Sequence, residues 1–305
     1  MRKHRMSLLC AVMAAALLMA AAVPALAEGE SAAGAPVAEN LELNTYRNVS
    51  VGGRLSAVDP EGDTVTFEIS TEPGKGTVEL TKDGRFVYTP DKDRRGRDYF
   101  GYRAVDSEGN ASQEATVIIR ISKQKTQTFY SDMAGDRAAY AATLLAEEGI
   151  FTGEKLGSQW VFYPQRGVTR GEFLSMCLEL CGTRLLSGVA STGFTDDGEI
   201  PLWQKPYVAT ALMDGVISGY SGDSGAAFEP NEPISRVEAA VMLDSALDLT
   251  DAEAASANAP QWAAQAVANT SACGILDGAR YSEELTRAEA AEMLAAAIAV
   301  REARD

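Results

Sequence analysis

Histidine is almost missing from this chain. Its 305 residues include one, His4, and that one lies in a segment expected to be removed. Arg2, Lys3 and Arg5 precede the apolar run "SLLCAVMAAALLMAAAVPA", which ends in "ALA" at 25–27. A basic start, an apolar stretch and small residues at a cleavage point read as a secretory signal peptide over 1–27. A retained membrane helix is the other reading of a run this long. Lipid attachment at Cys10 fits less well, because Leu9 stands where a small residue is expected. Cleavage after Ala27 leaves no histidine. That excludes Ser-His-Asp and Cys-His triads, histidine general bases and histidine-ligated zinc.

Basic residues are scarce too. The chain has 27 Lys and Arg against 43 Asp and Glu; loss of the three in the leader leaves 24 against 43, a net charge of −19. Such an excess argues against nucleic-acid binding and suits an exported protein, or one that meets Ca²⁺. Cysteine is equally thin. Beyond the leader only Cys177, Cys181 and Cys273 remain. The first two stand at i, i+4 on a predicted helix, a poor geometry for a disulfide. All three lie in Ala/Leu/Met-rich segments and read as small buried thiols with no metal or redox role.

What is present divides into two halves. Residues 28–36, "EGESAAGAP", form a small-residue linker. Over 37–122 the apolar residues alternate: Val65, Phe67 and Ile69, then Phe86 and Tyr88, then Val117, Ile119 and Ile121. Turn sequences separate them ("DPEGD", "EPGKG", "KDG", "DSEGN"). Short alternating strands between acidic Gly turns predict an antiparallel sandwich.

The order of "AVDPEGDTVTFEI" (57–69), "GTVEL" (76–80), "DGRFVYTP" (83–90), "GRDYFGYRAVDSEG" (96–109) and "ATVIIRI" (115–121) resembles the bacterial cadherin-like or Ig-like extracellular modules. The resemblance implies an all-β sandwich used as a spacer or adhesion module. Asp59, Glu61, Asp63, Asp106 and Glu108 are candidate oxygen ligands for Ca²⁺. Alternatively these acids only make turns, and no run here has the full spacing of a known Ca²⁺ loop.

"KQKTQT" (123–128) is a polar linker, and beyond it the chain turns Ala/Leu-rich and repeats itself. The expected units are 129–190, 191–252 and 253–305. Each has a first helix ending at a glycine (Gly149, Gly215, Gly274), placed as C-cap residues. A second glycine follows at Gly153, Gly219 and Gly278. Each unit then enters a second helix through Ser/Thr-Arg-x-Glu. Thr169 with Glu172, Ser235 with Glu238, and Thr286 with Glu289 each fit a capping box, in which hydroxyl and carboxylate satisfy each other's backbone amide.

Local helix physics does not ask for Arg170, Arg236 and Arg287. Each occupies the first helical position, where the macrodipole makes a cation unfavourable by a few tenths of a kcal/mol. A partner is therefore expected, with two candidates. One is an internal carboxylate; the other is an external anion held by free helix-N-terminal amides and the guanidinium fork. Asp132 in "FYSD" and Asp196 in "FTDD" open the first two units. Trp203 and Trp262 stand at equivalent places in the second and third. The tryptophans suit either a core or a sugar-binding face.

The stretch "FTDDGEIPLWQKPYVATALMDGVISGYSGDSGAAFEPNEPISRVEAAVML" (194–243) resembles an S-layer homology repeat in its Phe-x-Asp, Trp, Gly-Val-Ile-x-Gly-Tyr, Phe-x-Pro and Ser/Thr-Arg-x-Glu, in that order. The first unit has Tyr140 near the Trp place and "GIFTG" without the Gly-Tyr. The third lacks Phe-x-Asp, and "DGARYSEELTRAE" is too short for Phe-x-Pro. The resemblance implies an all-α, pseudo-threefold trimer of helical hairpins with grooves that grip secondary cell-wall polysaccharide, often through a pyruvylated sugar, or in some lineages a modified peptidoglycan. It further implies Arg170, Arg236 and Arg287 as anion grips, and Asp132 and Asp196 as residues that orient polar partners. Trp203 and Trp262 become groove walls, Gly153, Gly219 and Gly278 places of close ligand approach, and the groove at the second unit the best formed. The whole reads as a multidomain, non-catalytic, secreted cell-wall protein of the cell surface or S-layer. Its partners are wall polymer and other surface proteins, with no nucleic acid, no membrane after cleavage, and no cofactor unless Ca²⁺ binds the sandwich. A Ca²⁺-dependent adhesin is the second reading. A glycoside hydrolase using acids such as Asp196 and Asp197 is a third.

Overall fold

The computed structural model describes residues 34–252, 259–278 and 280–304. The expected leader, most of the linker at 28–36 and the first residues of the third unit lie outside the described residues. The chain divides into two compact units between Pro164 and Gln165.

Among the described residues the sandwich of the first unit is built from nine strands: β1 (Val37–Ala38), β2 (Leu41–Tyr46), β3 (Val51–Arg54), β4 (Ala57–Val58), β5 (Thr66–Thr71), β6 (Gly76–Leu80), β7 (Arg85–Pro90), β8 (Gly96–Val105) and β9 (Ala115–Ser122). They form a four-stranded sheet in the order β2-β9-β8-β5 and a three-stranded sheet β3-β7-β6, with β1 paired to β4. Strand alternation sends Tyr88, Phe100, Tyr102, Val117 and Ile119 to one face, where all are buried between the sheets; this is the period-2 pattern of a half-buried strand. Antiparallel pairing was expected throughout. Instead β2 runs parallel to β9, with Leu41 opposite Val117 and Tyr46 opposite Ser122. Alternation specifies which face is buried but not the direction of the neighbour.

The sandwich unit continues past residue 128, where the sequence placed a boundary. Helix α1 (Ala139–Glu147) and the hairpin β10 (Glu154–Leu156)–β11 (Gln159–Val161) belong to it. Gly52 of β3 donates its amide to the Arg137 carbonyl at 2.9 Å, and a Cβ at Gly52 would stand 2.7 Å from that of Arg137. The Tyr46 and Tyr140 rings meet at 5.5 Å. The polar segment at 123–128 is held as well, because the Glu147 carboxylate accepts from the Lys125 amide at 2.6 Å and the Thr126 amide at 2.7 Å. The first half of the first repeat thus packs on the sandwich edge.

The second unit contains α2 (Arg170–Leu180), α3 (Lys205–Met213), the hairpin β12 (Tyr220–Gly222)–β13 (Gly225–Ala227), α4 (Arg236–Leu247), a 3-10 turn (Gln261–Ala263), α5 (Ala264–Ala272) and α6 (Arg287–Glu302). The small hairpins in the first two copies correct the all-α expectation for this region. Gly149, Gly215 and Gly274 all follow a helix with positive φ, between 71° and 75°, the left-handed conformation that closes a helix C-terminus.

Candidate functional site

The three Ser/Thr-Arg-x-Glu segments meet in the second unit. Thr169, Ser235 and Thr286 each accept from the amide of the glutamate three residues on, and that glutamate binds back to the cap amide. The residues just before the caps hydrogen-bond in a closed cycle. Val168 donates to the Leu285 carbonyl at 3.0 Å, Leu285 to Ile234 at 2.9 Å, and Ile234 to Val168 at 2.9 Å.

A second cycle uses the helix ends themselves. The Arg170 amide donates to the Glu232 carbonyl, Arg236 to Glu283, and Arg287 to Arg166, at 2.8–2.9 Å. The next amide in α2, at Gly171, binds the Pro230 carbonyl, and Val237 in α4 binds Tyr281, both at 3.0 Å. The first amides of a helix have no intrahelical partner. In α2 and α4 the first two are taken by backbone from the following copy and the third by the capping hydroxyl. Free helix-N-terminal amides for an external anion are therefore not available there.

The arginine partners are internal carboxylates. Arg170 Nη1 lies 3.0 Å from Glu238 Oε1, and Arg236 Nη1 lies 3.1 Å from Glu289 Oε1. Each is the capping-box glutamate of the next copy, so one carboxylate closes its own helix start and pairs with the cation of the previous one. Arg170, Arg236 and Arg287 are all buried, at 6, 7 and 6% exposure. A buried cation of this kind is tolerated only when paired and hydrogen-bonded. Burial lowers the Arg170 pKa, an effect opposed by the charges of Glu238, Glu229 and Asp196. Burial raises the Glu289 carboxyl, but the Thr286 hydrogen bonds and the charges of Arg236 and Arg280 outweigh it and leave the pKa below the ordinary value.

Beside this ring lies a cavity of about 490 Å³, built by all three copies. Arg170 comes from the first, the Gly215–Ser221 turn and one face of α4 from the second, and Trp262 from the third. The Arg170 guanidinium stacks 4.5 Å from the Tyr220 ring centroid, and its Nε donates to the Phe228 carbonyl at 3.1 Å. The Tyr220 hydroxyl donates to Glu238. Trp262 is 64% exposed, and Val216, Ile217 and Met242 give the cavity apolar walls. Apolar walls with a few convergent polar groups are the general make-up of a ligand pocket. The cation at the second copy's turn is thus Arg170 from the first copy, while Arg236 faces the third, where its Nη2 donates to the Asp277 carbonyl at 3.1 Å.

The other expected site residues are placed as follows. Asp132 accepts from the Phe162 and Tyr163 amides, and Asp196 from the Phe228 and Glu229 amides, all within 2.7–2.9 Å. Tyr163 and Glu229 adopt positive φ, 56° and 60°, a conformation few side chains accept without support. These aspartates hold the Phe-x-Pro loops. Trp203 is 58% exposed and meets Tyr207 edge-on, so neither expected wall tryptophan is core. A Cβ at Gly219 would fall 2.5 Å from the Phe194 ring, and one at Gly153 2.7 Å from the Val161 carbonyl oxygen. Both glycines admit the protein's own chain; at Gly278 nothing lies within 4 Å.

Asp196 and Asp197 do not form a catalytic pair, because Asp197 binds Lys205 Nζ at 2.5 Å and the Thr192 amide at 2.7 Å. The hydrogen bond from Lys205, with those from Thr192, holds the Asp197 carboxyl down at about 2. In the sandwich, Asp59 accepts from the Glu61 and Asp63 amides and Asp106 from the Glu108 and Asn110 amides. These are turn-making contacts. Among the described residues no three acidic, cysteine or histidine side chains converge on a metal-sized site. Cys177 and Cys181 sit against the Met242 and Ala246 carbonyls, and no disulfide joins the three described cysteines. Sequence reasoning missed Tyr220 as the groove's stacking partner and the double duty of Glu238; the Gly-Tyr of the second repeat was the available signal for the first.

Comparison with known proteins agrees with this architecture. Residues 33–123 match the bacterial cadherin-like domain, and residues 129–174 and 193–240 the S-layer homology domain. Over 142 residues the chain is 32% identical to a surface-layer 125 kDa protein of Lysinibacillus sphaericus, covering 46% of this chain and 11% of that protein. It is 28% identical over 127 residues to cell surface glycoprotein 1 of Acetivibrio thermocellus, covering 39% and 5%. The chain thus spans only a small part of either relative. Among solved structures, human protocadherin-24 EC1-2 aligns at a TM-score of 0.25 and 17% identity, over 30% of this chain and 53% of that one. A glycoside hydrolase family 107 endo-fucoidan hydrolase aligns at 0.25 and 21%, over 30% and 14%. No helix among the described residues is long and apolar enough to cross a membrane. The chain joins a bacterial cadherin-like domain to S-layer homology domains, the make-up of a secreted, cell-wall-associated surface protein.

Proposed function

We propose that this is a non-catalytic protein held noncovalently to the bacterial wall, with three S-layer homology repeats closed as a pseudo-threefold trimer that binds secondary cell-wall polysaccharide and presents the sandwich as a spacer or adhesion module. The closed cycles of hydrogen bonds at 166–170, 232–236 and 283–287 support the threefold reading. One observation carries the binding reading: the cavity to which the three copies each contribute, with Arg170, Tyr220 and the exposed Trp262 around it. Trp262 offers a sugar a flat apolar face. Hydrogen bonds to Phe228 and Glu238 engage two N–H groups of Arg170; a guanidinium has five, and the rest serve a carboxylate such as that of a pyruvylated sugar. Arg236 and Arg287 are the corresponding cations of the other copies, Arg236 without an equivalent of the Tyr220 and Phe228 rings. A chain this acidic repels an acidic polymer at long range, but screening confines that to about 8 Å at physiological salt.

The test is binding of the chain to wall sacculi before and after stripping of the secondary polymer. Trp262→Ala is expected to weaken retention about tenfold, a loss near 1.4 kcal/mol, with an unchanged melting temperature because the side chain is exposed. Undiminished binding to stripped sacculi, or by Trp262→Ala, would overturn this reading.

A further inference from the structure

The sandwich carries a feature that anchoring does not use. On β8 the residues Arg97, Tyr99 and Arg103 are exposed, while the alternating Asp98, Phe100 and Tyr102 are buried. Tyr99 is 63% exposed. It lies opposite Ile118 of β9, and Arg97 lies opposite Arg120. The turn that leads into the strand adds Arg94 and Arg95, both exposed. Of the other sandwich arginines, Arg47 pairs with Asp93, Arg85 with Asp83 and Arg120 with Glu42, while the separate Arg54 and Arg103 make no ion pair among the described residues. Among the described residues Arg94, Arg95 and Arg97 make no ion pair. Three neighbouring guanidiniums without a carboxylate repel one another, and this chain has 43 acids with which it could have paired them.

The turn beneath them is rigidly held. Lys75 Nζ donates to the Arg97 carbonyl at 2.6 Å. The buried Asp98 accepts from the Gly74 and Lys75 amides and from the Tyr88 hydroxyl, at 2.8–3.0 Å, so its charge is committed to the inner side. Asn48 bonds both the amide and the carboxylate of Asp93. Asp93 and Gly96 adopt positive φ, 61° and 87°, which bends 93–96 tightly. A fixed backbone therefore displays an unpaired cationic cluster beside an exposed aromatic ring. Toward the other end the Glu114 carboxylate folds over Gly101, held by Ser70 and Thr71.

We infer that this face of the sandwich binds an acidic polysaccharide, with a carboxylate-bearing sugar ring stacked on Tyr99 and its carboxylate gripped by Arg97. Residues two apart on a strand stand about 6.8 Å apart on the same face, roughly one sugar ring. That places the guanidinium fork where the carboxylate of a stacked uronate falls, and Arg matches a carboxylate bidentately. Arg94 and Arg95 would continue the cationic track toward the next residue of the polymer. A flat ring on a flat sheet favours a sugar face over the shaped pocket a protein side chain would need.

The full chain is titrated with polygalacturonate, with its methyl ester as a neutral polymer of the same sugar, and with polyglutamate as a polyanion without rings. Polygalacturonate is expected to bind at least about tenfold more tightly than either control, with an affinity that falls as salt rises. Tyr99→Thr is expected to weaken it about tenfold and Arg97→Gln about fivefold. Threonine is a good strand former, so the melting temperature reports whether the fold is kept. Equal binding of polyglutamate, unchanged binding by both variants, or no binding of polygalacturonate would overturn the inference. So would salt-sensitive self-association in sedimentation that Tyr99→Thr and Arg97→Gln abolish, which would assign this face to the acid-rich repeats of a second copy.

Discussion

The second and third repeats begin their second helix with the same four-residue device and build different surroundings for it. At the second, Glu238 pairs with Arg170, accepts from Tyr220, and sits beside a Phe-x-Pro loop that gives Arg170 a carbonyl for its Nε and a ring at 5.5 Å. At the third, Glu289 pairs with Arg236 and, at 3.9 Å, with the exposed Arg280; the loop is shorter, and Arg236 Nε is buried without a hydrogen-bond partner among the described residues. The helix start and the cross-copy ion pair survive loss of the loop. The Phe-x-Pro and Gly-Tyr that frame Arg170 at the second copy have no counterpart in the third copy's sequence. The ring and the cavity are therefore built by separate residues: Ser/Thr and Glu hold the ring, whereas the turn and loop ahead of them make the cavity.

That comparison can be broken first at the ion pairs. Truncating one partner of a buried pair leaves the other charge uncompensated, at a cost of about 3–5 kcal/mol. Arg170→Ala is expected to fall in that range in urea unfolding, and Arg236→Ala measurably lower, because Arg170 also satisfies its Nε and stacks on two rings. An equal or larger cost for Arg236→Ala would show that the loop adds nothing to the arginine's hold.

The loop itself is next. Asp196→Ala removes the acceptor for two amides and the support of a left-handed Glu229. A loss of about 1–3 kcal/mol is expected, read as a lowered melting temperature together with weaker retention on sacculi. The third copy has no aspartate at this place, so a melting temperature unchanged by Asp196→Ala would erase the difference drawn between the two loops.

The smallest effect appears only in acid. Asp197 in the second copy has its pKa depressed to about 2 in the folded protein, against about 3.9 for an unfolded aspartate. A depressed folded pKa contributes stability that is complete above the unfolded value and is lost as pH falls through the folded one. Asp197→Asn should therefore flatten the part of the stability–pH curve between about 4 and 2, and leave its slope near neutrality alone. An unaltered acid limb would show that the Lys205 contact is not made in solution.

Much of this protein was legible before any coordinates. The capping boxes, the glycines after the first helices and the alternating strands all depend on contacts a few residues apart, which spacing encodes directly. The arginines were legible only as a question: a cation at a helix N-terminus demands a partner, and sequence offered either an internal acid or an external anion. The structure supplies the internal one for Arg170 and Arg236 and also removes the free amides the external one needed in those helices. Nor did local pattern indicate that Arg170 serves the second copy's turn, 45 to 51 residues away in the chain, or that the first repeat's opening half packs on the sandwich.

By itself, then, the sequence determined the main strands and helices, the capped helix starts and the threefold recurrence, since those follow from side-chain period and from hydrogen bonds that span three or four residues. Tertiary structure alone decided which glutamate neutralises which arginine, which strand lies parallel to β9, and which residues of three separate copies share one cavity. Such pairings join groups far apart in the chain, and their geometry exists only once the ring of backbone hydrogen bonds has closed.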